Sequence, residues 1–279
     1  MLHTNSRITM IRTEPNDKEM ARRFRLPRVG LYEAFYVDFW LAILAEYLAT
    51  LFFMFAVSGS SLRWEGAPTI FQQALAAGLS TASSIQAFRA VSLPLVHGNP
   101  VVSVAVFITG DAGLVRIICS VVAQMFGAIT GTGIVMAISP EHARGNLGAT
   151  IPAKDVTDIQ AFGVELIASF LLVSTMLASI DANKEAARKD YGTAAAMGVA
   201  VTLCYLIALP ITGCGVNPAK SFAPAVLTST WTGHWVYWAG PLSASLLAGF
   251  LHCLLFKKIE HRRQRSAEVE EDEQEEAII

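Results

Sequence analysis

Residues 212–225 read Thr-Gly-Cys-Gly-Val-Asn-Pro-Ala-Lys-Ser-Phe-Ala-Pro-Ala, and the Asn217-Pro218 pair in their middle decides the fold. The same pair occurs 118 residues earlier, as Asn99-Pro100. Asparagine is a preferred helix cap, and proline is tolerated at the first helical position because its missing N–H has no partner there anyway. Each pair opens an apolar stretch, 99–109 or 217–228, that is too short to cross a bilayer as a helix. The sequence therefore predicts two short helices that begin at the Asn-Pro pairs.

Composition places the rest of the chain in a membrane. Hydrophobic residues make up 53% of the 279 residues, charged residues only 16%, and the mean hydropathy is +0.45. Soluble domains carry about 25% charged residues. The charges also concentrate at the ends, with 12 in residues 1–38 and 13 in residues 257–279. This pattern argues against a soluble enzyme, a disordered chain and a disulfide scaffold, and a net charge of −2 argues against a nucleic-acid partner.

Six stretches are apolar and long enough, at about 20 residues, to cross a bilayer as helices. They are 39–58, 70–91, 114–138, 160–181, 193–212 and 235–256. With the two short helices as re-entrant segments, they predict an all-α membrane protein. Its channel domain covers 39–256, between an N-terminal tail at 1–38 and an acidic C-terminal tail at 257–279. Seventeen Lys and Arg fall on one side of this arrangement and four on the other, so the positive-inside rule predicts that both tails are cytoplasmic.

The two halves of the chain repeat one another. Glu46 begins the pattern Glu-x-x-Ala-Thr-Leu-Phe-Phe in the first predicted span, and Glu165 begins Glu-x-x-Ala-Ser-Phe-Leu-Leu in the fourth, 119 residues later. Repeat one covers about 39–138 and repeat two about 160–256. Because each repeat has an odd number of spans, the second must be inverted in the bilayer relative to the first. An inverted repeat places the functional site near the bilayer midplane, where the halves meet.

The two short helices predict a barrier to cations at that midplane. If they enter from opposite faces, their N-termini meet and both positive dipole ends point at one spot. The side-chain amides of Asn99 and Asn217 can each donate a hydrogen bond to a water molecule there. The hydrogens of that water then point away from the asparagines, along the row of water molecules in the pore. Cations and protons face a positive barrier, which indicates a selective pore.

The stretch 212–225, followed by His-Trp-Val-Tyr-Trp-Ala-Gly-Pro at 234–241, resembles the major intrinsic proteins, or aquaporins, and is very specific for that family. The resemblance covers roughly 39–256. It implies six tilted helices and two half-helices around a narrow pore. It also implies a homotetramer with one pore per subunit.

The resemblance assigns several residues to the pore. Tyr205 stands where the family has the filter residue of the fifth span, and Cys214 stands where mercurials often block these pores. At Ser221 the chain resembles the water-selective branch of the family, because glycerol facilitators usually carry Asp at this position. Two positions depart from the water channels. The filter arginine is replaced by Lys220, and the second-span filter position, usually a bulky aromatic, aligns with Ala77.

These departures predict a wider or less fixed filter. Arginine offers a rigid planar fork, whereas lysine is a flexible point charge. The first motif, His97-Gly98-Asn99-Pro100-Val101, also lacks the usual Ser-Gly-x-His approach, replaces Ala by Val, and follows a linker two residues longer than usual. Exclusive selectivity for water does not follow from such a filter.

Other ionisable residues leave alternatives open. Glu46 and Glu165 lie inside predicted spans, where an ionisable residue is by default a functional candidate. They are either proton carriers or, as we favour, structural carboxylates that accept hydrogen bonds from backbone N–H groups of the half-helix loops. His97 is either a pH gate or a polar anchor of its loop. Ser266, in the C-terminal tail, follows three arginines and resembles a basophilic kinase site, where a phosphate would add negative charge.

The sequence therefore predicts a passive channel for water, with small uncharged solutes as further permeants, in a multi-pass protein of the plasma membrane. Three alternatives stay open. They are a broader facilitator of glycerol, urea or peroxide, a non-transporting junction protein of the same fold, and a pore that leaks ions. None of these needs a cofactor, a metal ion or covalent chemistry, and the four cysteines have no metal-binding spacing. We therefore expect no enzyme and no cofactor.

Overall fold

The computed structural model describes residues 29–92, 95–185 and 192–255, and within them all regular secondary structure is helical, with no strand. In chain order the elements are a 3-10 helix (Leu31–Phe35), α1 (Val37–Ser60), α2 (Ile70–Phe88), α3 (Pro100–Ile108), α4 (Leu114–Ile138), a single helical turn (Glu141–Arg144), α5 (Asp158–Glu185), α6 (Gly192–Thr212), α7 (Pro218–Thr228) and α8 (Val236–Leu255). Each predicted helix is present, with ends within a few residues of the expected ones. The all-α class is confirmed.

Five of the helices are long and apolar enough to cross a membrane, namely α1, α4, α5, α6 and α8. The sequence predicted a sixth span at α2, which is not among these five. The reason is its polar content. Three of its side chains, Gln73, Thr81 and Ser84, line internal cavities rather than facing outward. The described residues thus contain five clear span candidates, and the count of six stays a prediction.

Glycines let the helices approach one another closely. A Cβ added at Gly127 or Gly131 of α4 would lie 2.3 Å from a backbone oxygen of α1, that of Tyr47 or Leu51. A Cβ at Gly78 of α2 would lie 2.5 Å from a backbone oxygen of α6. Lipid tails are as apolar as leucine, so membrane helices associate by close packing at small residues. These contacts place α1 against α4 within the first repeat and α2 against α6 between the repeats.

Candidate functional site

Asn99 and Asn217 cap the short helices, as predicted. Oδ1 of Asn99 accepts a hydrogen bond from the Val101 N–H at 2.9 Å, and Oδ1 of Asn217 accepts from the Ala219 N–H at 3.0 Å and, more weakly, from the Lys220 N–H at 3.4 Å. Both caps have extended backbone, and proline follows each at the first helical position. The caps satisfy N–H groups that a helix start otherwise leaves unpaired.

The two caps also join the two halves of the molecule. Asn99 Nδ2 donates to the carbonyl oxygen of Val216, and Asn217 Nδ2 donates to the carbonyl oxygen of Gly98, both at 2.9 Å. Each acceptor directly precedes the opposite asparagine, so the N-termini of α3 and α7 meet as predicted. Because an amide nitrogen carries two hydrogens, each asparagine keeps one for a further acceptor.

Glu165 holds the loop before α7. Its carboxylate is 0% exposed and accepts hydrogen bonds from the Thr212 hydroxyl at 2.6 Å, the Gly215 N–H at 2.7 Å and the Val216 N–H at 2.6 Å. A backbone N–H without a partner at membrane depth costs several kcal/mol, so an irregular loop there needs such an acceptor. This geometry agrees with the interpretation of Glu165 as a structural carboxylate.

Glu46 holds the loop before α3 in the same way. Its carboxylate accepts hydrogen bonds from the N–H groups of His97 and Gly98 and from Gln124 Nε2, each at 2.8 Å. The His97 ring packs beside it, with Nδ1 3.0 Å from the Ser103 hydroxyl and 3.8 Å from Glu46 Oε1. His97 Nε2 has no hydrogen-bond partner among the described residues, and the side chain lines a cavity. His97 is thus both an anchor of its loop and part of a cavity wall.

Two cavities lie on either side of Tyr205. The first, here called the asparagine cavity, has a volume of about 50 Å³ and is lined by both Asn99 and Asn217. The second, here called the lysine cavity, has a volume of about 300 Å³ and is lined by Lys220. Tyr205 contributes to the walls of both and is only 1% exposed. It therefore marks the junction between them.

Lys220 lies beside Tyr205 at this junction. Its Nζ donates to the Gly213 carbonyl oxygen at 2.8 Å and lies 5.7 Å from the centroid of the Tyr205 ring. The ammonium is therefore held by a backbone carbonyl and keeps two further N–H donors. The Tyr205 hydroxyl is buried and has no partner among the described residues. Tyr205 and Lys220 are thus brought together, as the resemblance implies for two filter residues.

Ala77 and Cys214 line neither of these two cavities. Ala77 lies on α2 midway between Gln73, which lines the lysine cavity, and Thr81, which lines the asparagine cavity. Residues four apart share one helix face, so Ala77 lies on the face that connects the cavities. Cys214 is 0% exposed, and its N–H donates to the Thr212 hydroxyl at 3.1 Å. The place of the Cys214 thiol as the position that mercurials block stays a prediction.

The sequence did not reveal the backbone acceptors of the site. The carbonyls of Gly98, Val216 and Gly213 accept from the three key side chains, yet a carbonyl leaves no signature in the sequence. The glycine directly before Asn99 was an available signal for an unusual turn, whereas valine before Asn217 gave none. Ser266 lies outside the described residues, with the whole C-terminal tail and residues 1–28 of the N-terminal tail. In the described part of the chain, no group of three His, Cys, Asp or Glu residues could hold a metal ion.

Comparisons with known proteins identify the family of the chain. The family described as "Major intrinsic protein" matches residues 33–252. The lens fiber major intrinsic protein of Ovis aries is 38% identical over 237 residues, which cover 84% of this chain and 89% of that protein. Aquaporin-5 of Homo sapiens is 40% identical over 222 residues, covering 78% and 82%. The X-ray structure of the aquaglyceroporin from Plasmodium falciparum has the same fold, with a TM-score of 0.68 at 18% identity, over 78% of this chain and 97% of that one. The chain is an integral, multi-pass membrane protein that belongs to the major intrinsic protein family of channels.

Proposed function

We propose that the chain is a passive water channel whose path runs from the lysine cavity past Tyr205 into the asparagine cavity. The reciprocal hydrogen bonds of Asn99 and Asn217 carry this proposal, because they bring two helix N-termini and two amide donors to one cavity. A water molecule there can accept from both amides. A cation or a hydrated proton instead meets the positive ends of two helices.

The same proposal includes the topology that the sequence suggests. In it α2 is the sixth span, α3 and α7 are re-entrant, and residues 1–38 and 257–279 are cytoplasmic tails around the channel domain 39–256. The excess of Lys and Arg on one side supports this orientation. Apolar side chains such as Phe126 on α4 and Phe250 on α8 are each 62% exposed, so lipid or another subunit must cover them. A homotetramer in the plasma membrane, with Ser266 open to phosphorylation, completes the proposal.

A second candidate is a broader facilitator that also conducts small uncharged solutes such as glycerol. Two observations favour it. Ala77, on the helix face between the cavities, adds only a methyl group to that face. Lys220 donates one hydrogen bond to the Gly213 carbonyl. A flexible lysine breaks a single hydrogen bond more easily than an arginine breaks the two hydrogen bonds of its planar fork.

Osmotic swelling of proteoliposomes tests both candidates. The full-length chain is reconstituted, and water permeability and then glycerol permeability are measured by light scattering against empty vesicles. A water channel raises water permeability alone, and a broader facilitator raises both. A proton or cation current indicates the leaking pore. If neither permeability exceeds that of empty vesicles, the channel proposal is wrong and the non-transporting alternative gains support.

A further inference from the structure

The lysine cavity carries two cationic side chains, Arg63 and Lys220, and none of the described residues that line it is acidic. A concave surface lined by charge of one sign focuses the electric field and concentrates ions of the opposite sign. We propose that this cavity binds a small monovalent anion, of the size and shape of nitrate or formate, between Arg63 and Lys220.

The cations at this site have hydrogen-bond donors to spare. Lys220 uses one of its three N–H donors on the Gly213 carbonyl and keeps two. The Arg63 side chain makes no hydrogen bond or ion pair with the described residues, although its backbone N–H donates to the Ala143 carbonyl at 2.8 Å. Tyr205, whose buried hydroxyl also has no partner there, forms part of the same wall. The site thus offers unused donors from Arg63 and Lys220.

The other polar side chains of the cavity are occupied by local contacts. The hydroxyls of Ser60 and Ser61 donate to the Val57 carbonyl, and the Ser61 hydroxyl also lies 3.2 Å from Gln73 Oε1. Asn146 bonds within its own loop through both ends of its amide. A ligand in this cavity therefore meets mainly unused donors, which match an acceptor-rich and negatively charged group. A cation would find no carboxylate among the described lining residues.

Size and hydration favour a monovalent anion. The volume of about 300 Å³ holds a three- or four-atom oxyanion with part of its water shell, since one water occupies about 30 Å³ in the liquid. The guanidinium of Arg63 offers a planar pair of donors that fits a planar oxyanion. Desolvation grows steeply with charge, so a divalent anion such as sulfate loses more on entry.

Thermal unfolding measures binding without any assumption about transport. The full-length protein in detergent is titrated with sodium nitrate, which replaces sodium gluconate at constant ionic strength. We expect a saturable rise in Tm for the parent, because a ligand that binds the folded state stabilises it. In Arg63→Gln the apparent Kd for nitrate rises about tenfold, because one charge-assisted donor pair is lost. Lys154→Gln is the matched control, since Lys154 is exposed and lines neither cavity, and it keeps the parent's Kd.

Water permeability then tests whether the anion site lies on the proposed path. This second measurement rests on the proposed function, because an anion between Arg63 and Lys220 occupies the proposed entrance of the path. External nitrate lowers the water permeability of the parent and of Lys154→Gln relative to gluconate, and has a smaller effect on Arg63→Gln. Equal stabilisation of the parent and Arg63→Gln overturns the site. Nitrate binding that leaves the water flux of a conducting parent unchanged overturns the placement of the site on the path. If no variant conducts water in any medium, the proposed function fails while the Tm titration still decides the anion site.

Discussion

Gly98 and Val216 occupy the same position in the two repeats, directly before Asn99 and Asn217, and both have left-handed backbone, with φ of 57° and 45°. In that conformation each carbonyl faces the opposite asparagine, which donates to it at 2.9 Å. Glycine adopts this conformation freely, whereas a β-branched residue is strained there. The second repeat therefore keeps a strained residue that the first avoids, and the bond from the Val216 N–H to Glu165 at 2.6 Å helps to hold it.

Gly98→Ala isolates the cost of this backbone conformation. The nearest atom to an added Cβ is the Thr50 hydroxyl oxygen at 4.0 Å, so the substitution creates no clash. Left-handed backbone costs an L-residue about 1–2 kcal/mol, and we expect unfolding in detergent to show a loss of stability of that size. Gly163→Ala is the control, because Gly163 lies in α5 and also has open space around its Cβ position. Equal stability of the two variants would show that residue 98 tolerates the left-handed region without strain.

Asn217→Asp should impair both folding and selectivity. The substitution replaces the amide that donates to the Gly98 carbonyl with a carboxylate oxygen, so two acceptors face each other at the distance of a hydrogen bond. It also places a negative charge at the meeting point of two helix N-termini, where the barrier to cations lies. We expect a lower Tm and a new proton or cation conductance in proteoliposomes. Unchanged water flux with no new conductance speaks against a pore role for Asn217.

Glu165→Gln tests whether the buried acid is structural. The carboxylate accepts hydrogen bonds from three donors, on Thr212, Gly215 and Val216. A glutamine of the same shape turns an NH₂ group toward at least one of these donors. A buried donor left without an acceptor costs about 1–3 kcal/mol, more when the lost acceptor was charged. We expect stability to fall by about that much. A stable variant in which only a proton-coupled signal disappears would instead support the proton-carrier interpretation.

Gly131→Ala and Gly133→Ala, on the same helix, test the close packing of α1 against α4. A Cβ at Gly131 would lie 2.3 Å from the Leu51 carbonyl oxygen, whereas a Cβ at Gly133 meets nothing within 4 Å. Overpacking costs about 1–3 kcal/mol, so Gly131→Ala lowers Tm and the yield of folded protein. Gly133→Ala removes a flexible glycine from a helix interior and leaves Tm equal or higher. Similar losses for both would contradict the proposed helix contact.

Lys220→Arg combined with Ala77→Phe should narrow the junction between the two cavities. Phenylalanine adds a ring to the helix face between Gln73 and Thr81, and arginine provides a fork in place of a single ammonium. We expect a lower glycerol-to-water permeability ratio than in the parent, measured in the same vesicle preparation. If the parent already excludes glycerol and the double variant leaves the ratio unchanged, Tyr205 and Lys220 close the path by themselves.

The sequence by itself determined the helices and their pairing into repeats. Hydropathy located the long helices to within a few residues, because about 20 apolar residues are what a bilayer crossing requires. The Asn-Pro pairs fixed where α3 and α7 begin, since capping depends on neighbouring residues alone. The position of Glu46 and Glu165 inside predicted spans of the two repeats favoured carboxylates that bind the half-helix loops, and the hydrogen bonds agree. Local chemistry and simple periodicity were sufficient for all of these.

The tertiary structure alone decided how the halves contact each other. The donors of Asn99 and Asn217 reach backbone carbonyls more than a hundred residues away, and a carbonyl is present in every residue whatever its side chain. The structure likewise showed that Cys214 is fully buried and has left-handed backbone, with φ of 53°, because both depend on the turn that the chain makes there. The pairing of Arg63 with Lys220 around one cavity also joins distant segments. Such relationships depend on the packing of whole helices, which no single stretch of sequence encodes.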